Sequence, residues 1–569
     1  MDYPKLAELL LPNVTTTPDF WYGKYPRRDL PKGAFVTRLG PSPTGFLHVG
    51  ALYTSLIGRR IAHDSGGVFI VRIEDTDSER EVAGARGLIV KGLAQYGLSP
   101  DEGLQESVGT VEADLKHQKG NYGPYIQSAR KNIYISFVKD LIKRGLAYPC
   151  FMTSDELTEM RNEQELAKVR PGYYGKYAKW RDASMEAINE RLASGATYCI
   201  RLRANGDQNK KQSFTDEFLG ELQIPENDED FIILKTSGGT TYHLAHIVDD
   251  YLMGTNFVTR GEEWLSSLPK HLALWRAFDF KVPKYGHIMP INKQDGGSVR
   301  KLSKRKDPEA NIEMYVNAGY PEDAIIGYLY RLANPSFDEW WQSDAVIKSK
   351  TLTVRDFPFS IEGLKRGGRG PLVDMKKLDS ISGDIVVKMT VEDVAEKMIA
   401  WAEKHDPSFA KVAKDNHDYF TSILSIERDT ENPRKDIVNW EQGKGTVDYF
   451  FDDFFDAKKA REILSVDITD NNQLNTIIKD LGQALSHDSY YTEASLDAWV
   501  DNVKKLAEIL GFAVDRKKYK ETPTAFKGDF AMFMKIVRVS ITGREKTPNL
   551  FYILKVMGKD RVVKRLAQI

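Results

Sequence analysis

Apolar and polar positions along the chain follow two regimes. From Ala34 to about Ala147, short apolar runs with β-branched residues alternate with segments of helical period, in the order strand, helix, strand, helix. Phe35, Val36 and Thr37 read as the start of a buried strand. Val68-Phe69-Ile70-Val71 is a continuous apolar run of the kind that buried parallel strands show. Ala51, Leu52, Ser55, Leu56 and Arg59 stand at helical spacing and predict a helix over about 48–60. A further helix is predicted over 128–144, with Ser128 as N-cap, Ile133, Phe137 and Leu141 on one face, and Gly145 just past the end. This alternation predicts a parallel α/β sheet, whose ligands bind beyond the carboxyl ends of the strands. Arg38 and Glu74 stand at two such ends.

Past Tyr148 the pattern changes. Charge-rich helical segments at 154–168 and 182–193 precede short strands at 198–203 and 231–234. The sheet resumes near Thr241, with a helix over 268–278 and an apolar run at 286–290. After about Tyr315 the chain reads as mostly helical. Tyr320-Pro321 opens an apolar helix through Leu332. The stretch 406–444 is polar and low in pattern, a linker or irregular insertion. Tyr449-Phe450-Phe451 and Phe454-Phe455 read as the core face of a helix. Thr547-Pro548 reads as N-cap and first turn of a last helix, with Leu550, Ile553, Leu554 and Met557 inward and Gly558 as its stop. Residues 1–33 are an extension with several prolines and a short helix at 4–11 packed on the domain that follows.

With 569 residues the chain is too long for one core, so three to five domains are expected. At 41% hydrophobic and 28% charged it has the composition of a globular protein. No apolar run reaches membrane-spanning length and no signal-peptide core is visible, so a cytoplasmic protein without a membrane partner is expected. Cys150 and Cys199 are the only cysteines; they allow at most one disulfide and no all-cysteine zinc site. A net charge of −1 does not advertise nucleic acid. Local basic patches can still meet phosphates, and the candidates are 365–369, Lys376-Lys377 and 516–520.

Candidate chemistry gathers in two places. Gly40, Pro41, Pro43 and Gly45 break the first strand before the helix begins at His48. A loop and helix N-terminus after a strand make an anion site, because free N–H groups and the helix dipole both favour negative charge. His48 adds a donor there and Arg38 a fixed positive charge. Far downstream, Lys301-Leu302-Ser303-Lys304-Arg305-Lys306 follows a flexible stretch at 294–298; alone, such a run reads as a solvated face.

Together, Phe46-Leu47-His48-Val49-Gly50 and Lys301-Leu302-Ser303-Lys304-Arg305 resemble the two ATP signatures of the class I aminoacyl-tRNA synthetases. Pro41-Ser42-Pro43-Thr44-Gly45, Val71-Arg72-Ile73-Glu74-Asp75-Thr76-Asp77, Tyr242-His243-Leu244-Ala245 and Arg260-Gly261-Glu262-Glu263-Trp264, in that order and spacing, resemble the bacterial glutamate–tRNA ligase family. The resemblance covers nearly everything after Ala34 and is looser beyond about Asn334.

The resemblance implies a Rossmann-type α/β class I catalytic domain with an inserted acceptor-binding subdomain, followed by mostly α-helical anticodon-binding domains. The implied division is extension 1–33, catalytic first half 34–147, insertion 148–235, catalytic second half 236–315, linking domain 316–430 and anticodon-binding domain 431–569. It implies an enzyme that joins L-glutamate to tRNA(Glu) through a glutamyl-adenylate, with ATP and Mg²⁺, working as a monomer. His48, Lys301 and Lys304 would be catalytic. Pro41, His48, Gly50, Gly261, Glu263, Trp264 and Lys304 would bind ATP. Arg38, Gly40, Ser42, Glu74, Tyr242 and Arg260 would bind glutamate, with Glu74 on the ammonium; which arginine meets the side-chain carboxylate stays open. His246 stands where the family has an amide. Some relatives carry zinc at the start of the insertion; Cys150 has no thiolate two residues away, so no structural zinc is expected. The alternatives are a glutamine–tRNA ligase, a shortened relative that modifies a tRNA base, for which the chain is too long, and a non-catalytic tRNA-binding relative.

Overall fold

The computed structural model describes every residue except Phe46, 77–80, Lys350 and 366–368. Phe46 of the His-containing motif, Asp77 and the centre of the basic patch at 365–369 therefore lie outside the described residues. The chain forms two compact units, Met1–Ile312 with Ile326–Val373, and Glu313–Ile325 with Asp374–Ile569.

In the first unit, β1 (Val36–Leu39), β2 (Val68–Val71), β3 (Glu102–Leu104) and β4 (Gln118–Lys119) form one sheet in that order. The first three are parallel and β4 runs antiparallel to β3. β5 (Ala147–Cys150) and β6 (Cys199–Leu202) pair antiparallel. The hairpin of β7 (Lys211–Asp216) and β8 (Gly220–Pro225) follows, and β9 (Ile232–Leu234) joins the other edge of β6. β10 (Phe257–Gly261) and β11 (Lys284–Ile288) are parallel, and β10 begins beside β1, where the Asn256 N–H donates to the Val36 carbonyl at 3.1 Å. β12 (Asn292–Asp295) and β13 (Ser298–Lys301) form a second hairpin.

One apolar core links these elements. Leu6, Ala7 and Leu10 of the helix Tyr3–Leu10 are buried with Phe137 and Leu141 of the helix Lys131–Lys143 and with Val258 and Leu272. The Lys139 ammonium ties the two helices by donating to Glu8 and to the Val14 carbonyl, both at 2.7 Å.

Several expectations need correction. The helix predicted over 128–144 starts later, at Lys131, after a 3₁₀ turn Gln127–Arg130. Ser128 does not cap it, because its N–H and hydroxyl both donate to the Asp75 carboxylate, at 2.7 and 2.6 Å. The stretch 294–298 is the end of the β12–β13 hairpin, not a slack loop, and Gly296 supplies the positive φ its turn requires. The β7–β8 hairpin was not anticipated: its faces are largely exposed and its polar residues carry no strong period.

The second unit is helical and has its own core, from Val386 to Leu566. The stretch 406–444 holds the helices Pro407–Asp415 and His417–Leu424 and the start of a third, Trp440–Val447. Each is short, so a few buried residues such as Phe409, Ala413, Phe420 and Ile423 carry it, too few for a clear period. Asp406 caps the first, with Pro407 in its first turn. Tyr449, Phe450 and Phe451 are core and Phe454 and Phe455 pack half-buried against it, but the run follows two 3₁₀ turns, Asp448–Phe450 and Asp452–Phe454, rather than one helix face. The last helix begins at Leu550 with Asn549, not Thr547, as its cap. Gly558 breaks it at φ 74°, yet helix resumes to Leu566. Among the described residues, no helix is long and apolar enough to cross a membrane.

Candidate active site

A cavity of about 940 Å³ opens at the carboxyl ends of β1, β2, β10 and β11. Every candidate singled out in the sequence lines it: Arg38, Gly40, Pro41, Ser42, His48, Gly50, Glu74, Tyr242, Arg260, Gly261, Glu263, Trp264, Lys301 and Lys304.

One end is built on the helix Val49–Asp64. His48 is its N-cap, and the Gly50 N–H donates to His48 Nδ1 at 2.9 Å. Nδ1 is thereby an acceptor, so the neutral ring carries its proton on Nε2 and keeps a donor for another partner. Burial lowers the His48 pKa to about 4, and the charges of Lys304 and Lys301 add to this. A side chain at Gly50 would strike that ring at 2.6 Å, so the close turn requires glycine. Lys301 ends β13 and pairs with Glu263 at 3.3 Å; both are exposed. The loop beyond it is anchored by buried Asp307, which accepts from both terminal nitrogens of Arg300 (2.6 and 2.8 Å) and from the Ser303 N–H (2.8 Å). Lys304 is exposed, and partial loss of water lowers its pKa.

The other end holds two arginines in different surroundings. Arg38, 3% exposed, donates from Nε to Asp250 at 3.2 Å and from a terminal nitrogen to the Thr259 carbonyl at 3.3 Å. Asp250 also accepts from Arg72 at 2.7 Å, and Arg72 donates to Glu74 at 2.8 Å. Burial alone would raise the Asp250 carboxyl, but Arg38, His246 and Arg72 around it hold it well below the usual range. Burial raises Glu74 against the opposing charges of Arg72 and Arg38. Gly40 leaves the space that the Glu74 carboxylate fills, since a Cβ there would sit 2.3 Å from its oxygen.

Arg260, 5% exposed, has no carboxylate partner among the described residues. It donates from Nε to His287 Nε2 at 2.9 Å and faces His271 Nδ1 at 2.9 Å. His287 passes its other nitrogen to Asp216 at 2.6 Å, and His271 Nε2 lies 3.0 Å from His243 Nδ1. Burial depresses His271, His243 and His287, the last despite Asp216. Neutral imidazoles can accept from the guanidinium, so Arg260 is oriented without being neutralised. Tyr242 closes this end; its ring stacks on His246 at 5.5 Å and tilts against Trp264 at 4.4 Å. His246 is fully buried beside Asp250 at 2.8 Å, and burial lowers its pKa to about 3.

Sequence reasoning missed Arg72, Asp216, Asp250, Thr259, His271 and His287 as parts of this framework. One signal existed: five of the ten histidines, His48, His243, His246, His271 and His287, gather here. Asp216 gave none, because it arrives on the unanticipated β7–β8 hairpin.

Comparison with known proteins agrees with this geometry. The profile described as tRNA synthetases class I (E and Q), catalytic domain, matches residues 34–357, and that of an anticodon binding domain matches residues 516–569. The glutamate–tRNA ligase of Clostridium perfringens (strain 13 / Type A) is 40% identical over 566 residues, 100% of both chains. That of Sorangium cellulosum (strain So ce56) is 39% identical over 97% of each. The solved glutamate–tRNA synthetase of Elizabethkingia anophelis superposes with a TM-score of 0.68 at 25% identity, over 94% of this chain and 99% of that one. A cavity joining a helix N-terminus and a lysine loop to two buried arginines, and similarity running the length of the chain, lead to one conclusion: the chain belongs to the class I tRNA synthetases of the glutamate and glutamine (E and Q) type.

Proposed function

We propose that this chain is a glutamate–tRNA ligase, converting ATP, L-glutamate and tRNA(Glu) to AMP, diphosphate and glutamyl-tRNA(Glu). The observation that carries this reading is Arg260, a buried guanidinium aimed into the cavity by neutral histidines, with no carboxylate of the chain among the described residues to satisfy it. A ligand carboxylate supplies the missing partner, and a planar guanidinium suits one. Arg260 is therefore assigned to the glutamate side-chain carboxylate. Arg38, already paired with Asp250, shapes the wall and contributes partial charge. Glu74 takes the ammonium, and Gly40, Ser42 and Tyr242 line the amino-acid pocket.

The glutamate α-carboxylate oxygen attacks the α-phosphorus of ATP and diphosphate leaves with the bonding electrons. A ribose hydroxyl of the terminal tRNA adenosine then attacks the carbonyl carbon, and AMP leaves. Phosphoryl transfer asks for positioning and charge stabilisation rather than a protein nucleophile. His48 Nε2–H and the helix behind it hold phosphate oxygens. Lys301 and Lys304 balance the charge that grows on the departing diphosphate. Pro41, Gly50, Gly261, Glu263 and Trp264 line the nucleotide pocket. Mg²⁺ would enter with ATP and would add positive charge for the leaving group. No structural zinc enters this reading.

Residues 148–235 are assigned to the tRNA acceptor end, 316–430 to a linking domain and 431–569 to the anticodon, in a cytoplasmic monomer. Glutamine, the other amino acid of the family, would leave Arg260 facing a neutral amide, and the glutamate reading is preferred for that reason. Charging of a bulk tRNA preparation with radiolabelled glutamate tests it. Acid-precipitable glutamate on glutamate-accepting tRNA is expected; charging with glutamine alone would reject it.

A further inference from the structure

Cys150 and Cys199, the only cysteines of the chain, stand directly opposite each other in the antiparallel pair β5–β6. They are 2% and 9% exposed. Opposed residues of such a pair point to one face with Cα atoms roughly 4.5–5.5 Å apart. A disulfide spans roughly 4.4–6.8 Å between Cα atoms. The pair can therefore close without moving the strands.

Two neighbours distinguish these thiols from inert core cysteines. Arg201, two residues along β6, is 5% exposed and lies 3.9 Å above the Tyr173 ring. It donates to the Asp230 backbone carbonyl at 2.9 Å, but its Nε has no hydrogen-bond partner and no carboxylate pairs with it among the described residues. A buried cation in that state is costly unless an anion faces it. The Tyr173 oxygen accepts from the Trp180 N–H at 3.0 Å and from the Cys150 thiol at 3.5 Å; once that thiol ionises, the Tyr173 proton can turn to the sulfur. The hydrogen bond from Cys199 holds Cys150 below the ordinary thiol range against burial, with Arg201 and Tyr173 adding to the effect. Cys199, the donor in that bond, is held above it. The Tyr173 hydroxyl stands against Cys150 and no such hydroxyl bond is made by Cys199 among the described residues, which marks Cys150 as the sulfur whose thiolate is stabilised.

We propose that Cys150 and Cys199 form a dithiol that peroxides oxidise to an intramolecular disulfide, with Cys150 attacking and Cys199 resolving. The Cys150 thiolate attacks one peroxide oxygen; the O–O bond breaks, hydroxide leaves, and Cys150 becomes a sulfenic acid. The Cys199 sulfur then attacks the Cys150 sulfur; the S–O bond breaks, the Cys199 proton goes to the departing oxygen, and water leaves. Overall two thiols give up two electrons and two protons, and one hydrogen peroxide becomes two waters. The product bridges β5 to β6, and a dithiol reductant reverses it by exchange.

The test uses the reduced full-length protein treated with a small excess of hydrogen peroxide at pH 7, then denatured, alkylated with iodoacetamide and mapped by mass spectrometry. The expected product has lost two hydrogens, is alkylated at neither cysteine, yields a peptide linking Cys150 to Cys199, and regains both alkylation sites after dithiothreitol. In Cys199→Ser the same treatment should leave a sulfenic acid on Cys150 that dimedone traps. In the native fold, Cys199 of Cys150→Ser should alkylate at least ~10-fold more slowly than Cys150 of Cys199→Ser, because the thiolate is the reactive form. Two alkylatable thiols after peroxide in the wild-type chain, or equal reactivity in the two single variants, would overturn the proposal.

Discussion

The two ends of the main cavity hold positive charge in opposite ways. At the arginine end the charge is buried and over-determined: Arg38 leans on Asp250, and Arg260 is fixed by His287 and His271, with Asp216 and His243 behind them. At the helix end Lys301 and Lys304 are exposed on a hairpin and the loop after it; Lys301 pairs with the exposed Glu263, and buried Asp307 with Arg300 holds the loop. The difference matches two tasks. A group that selects a ligand must be in place beforehand, because its unmet hydrogen bonds are what reject the wrong ligand. A group that meets charge developing during reaction contributes most if it binds the ground state weakly.

The largest effect should come from the arginine end. Arg260→Leu removes the proposed partner of the glutamate side chain. Breaking a buried ion pair costs about 3–5 kcal/mol, roughly a 10²–10⁴-fold loss in kcat/KM for glutamate at about 1.4 kcal/mol per decade. Its unfolding midpoint in urea should move little, since Arg260 has only neutral partners. Arg38→Leu removes one of the two arginines that balance the buried Asp250 and should lower stability as well as activity. Equal stability losses in the two variants would break the distinction between them.

At the helix end, Lys304→Ala should lower kcat for diphosphate exchange by the amount typical of one transition-state donor, about 2.7–4 kcal/mol. The ATP KM and the unfolding midpoint should stay close to wild type. A loss confined to KM would make Lys304 a ground-state binder and remove the contrast.

A smaller effect separates the ends by pH. His246 has a folded pKa of about 3, below the ordinary histidine value. Between roughly pH 6.5 and 3 the unfolded chain binds this proton and the folded chain does not, so stability falls as pH falls through that window; at pH 5 the loss is about 2 kcal/mol. His246→Asn keeps a polar group beside Asp250 but cannot titrate. The drop in urea stability from pH 7 to pH 5 should be smaller in the variant by about that amount, and an identical drop in both chains would contradict the burial argument. Smallest of all, His48→Ala should cost about 1 kcal/mol of stability through loss of its cap, read in the same urea experiment at pH 7, while its effect on exchange should be greater through loss of the Nε2 donor.

The same contrast decides what was readable from sequence. The helix end is local: strand, broken loop, His48 and helix follow one another within sixteen residues, and β13 leads straight to Lys304. Arg38 and Glu74 could be placed at or just past strand ends, and the roles of both and of Arg260 came from the motifs that carry the family resemblance. Their partners could not be found in either way. Asp250, Asp216, His271 and His287 come from a helix, a hairpin, a second helix and another strand, and only the closed fold brings them together. The two cysteines were visible as residues, but their pairing required the β5–β6 register. In the second unit, 406–444 looked patternless because its helices are only eight or nine residues long and each buries only a few side chains.

The central claim, that an unneutralised Arg260 makes this cavity select a carboxylate side chain, is tested most directly by ATP–diphosphate exchange on the wild-type chain, with tRNA present and with glutamate or glutamine as the only amino acid. Glutamate should support exchange with kcat/KM roughly 10²–10⁴-fold above glutamine, the range set by a broken buried ion pair of about 3–5 kcal/mol. Equal exchange with the two amino acids would contradict the account.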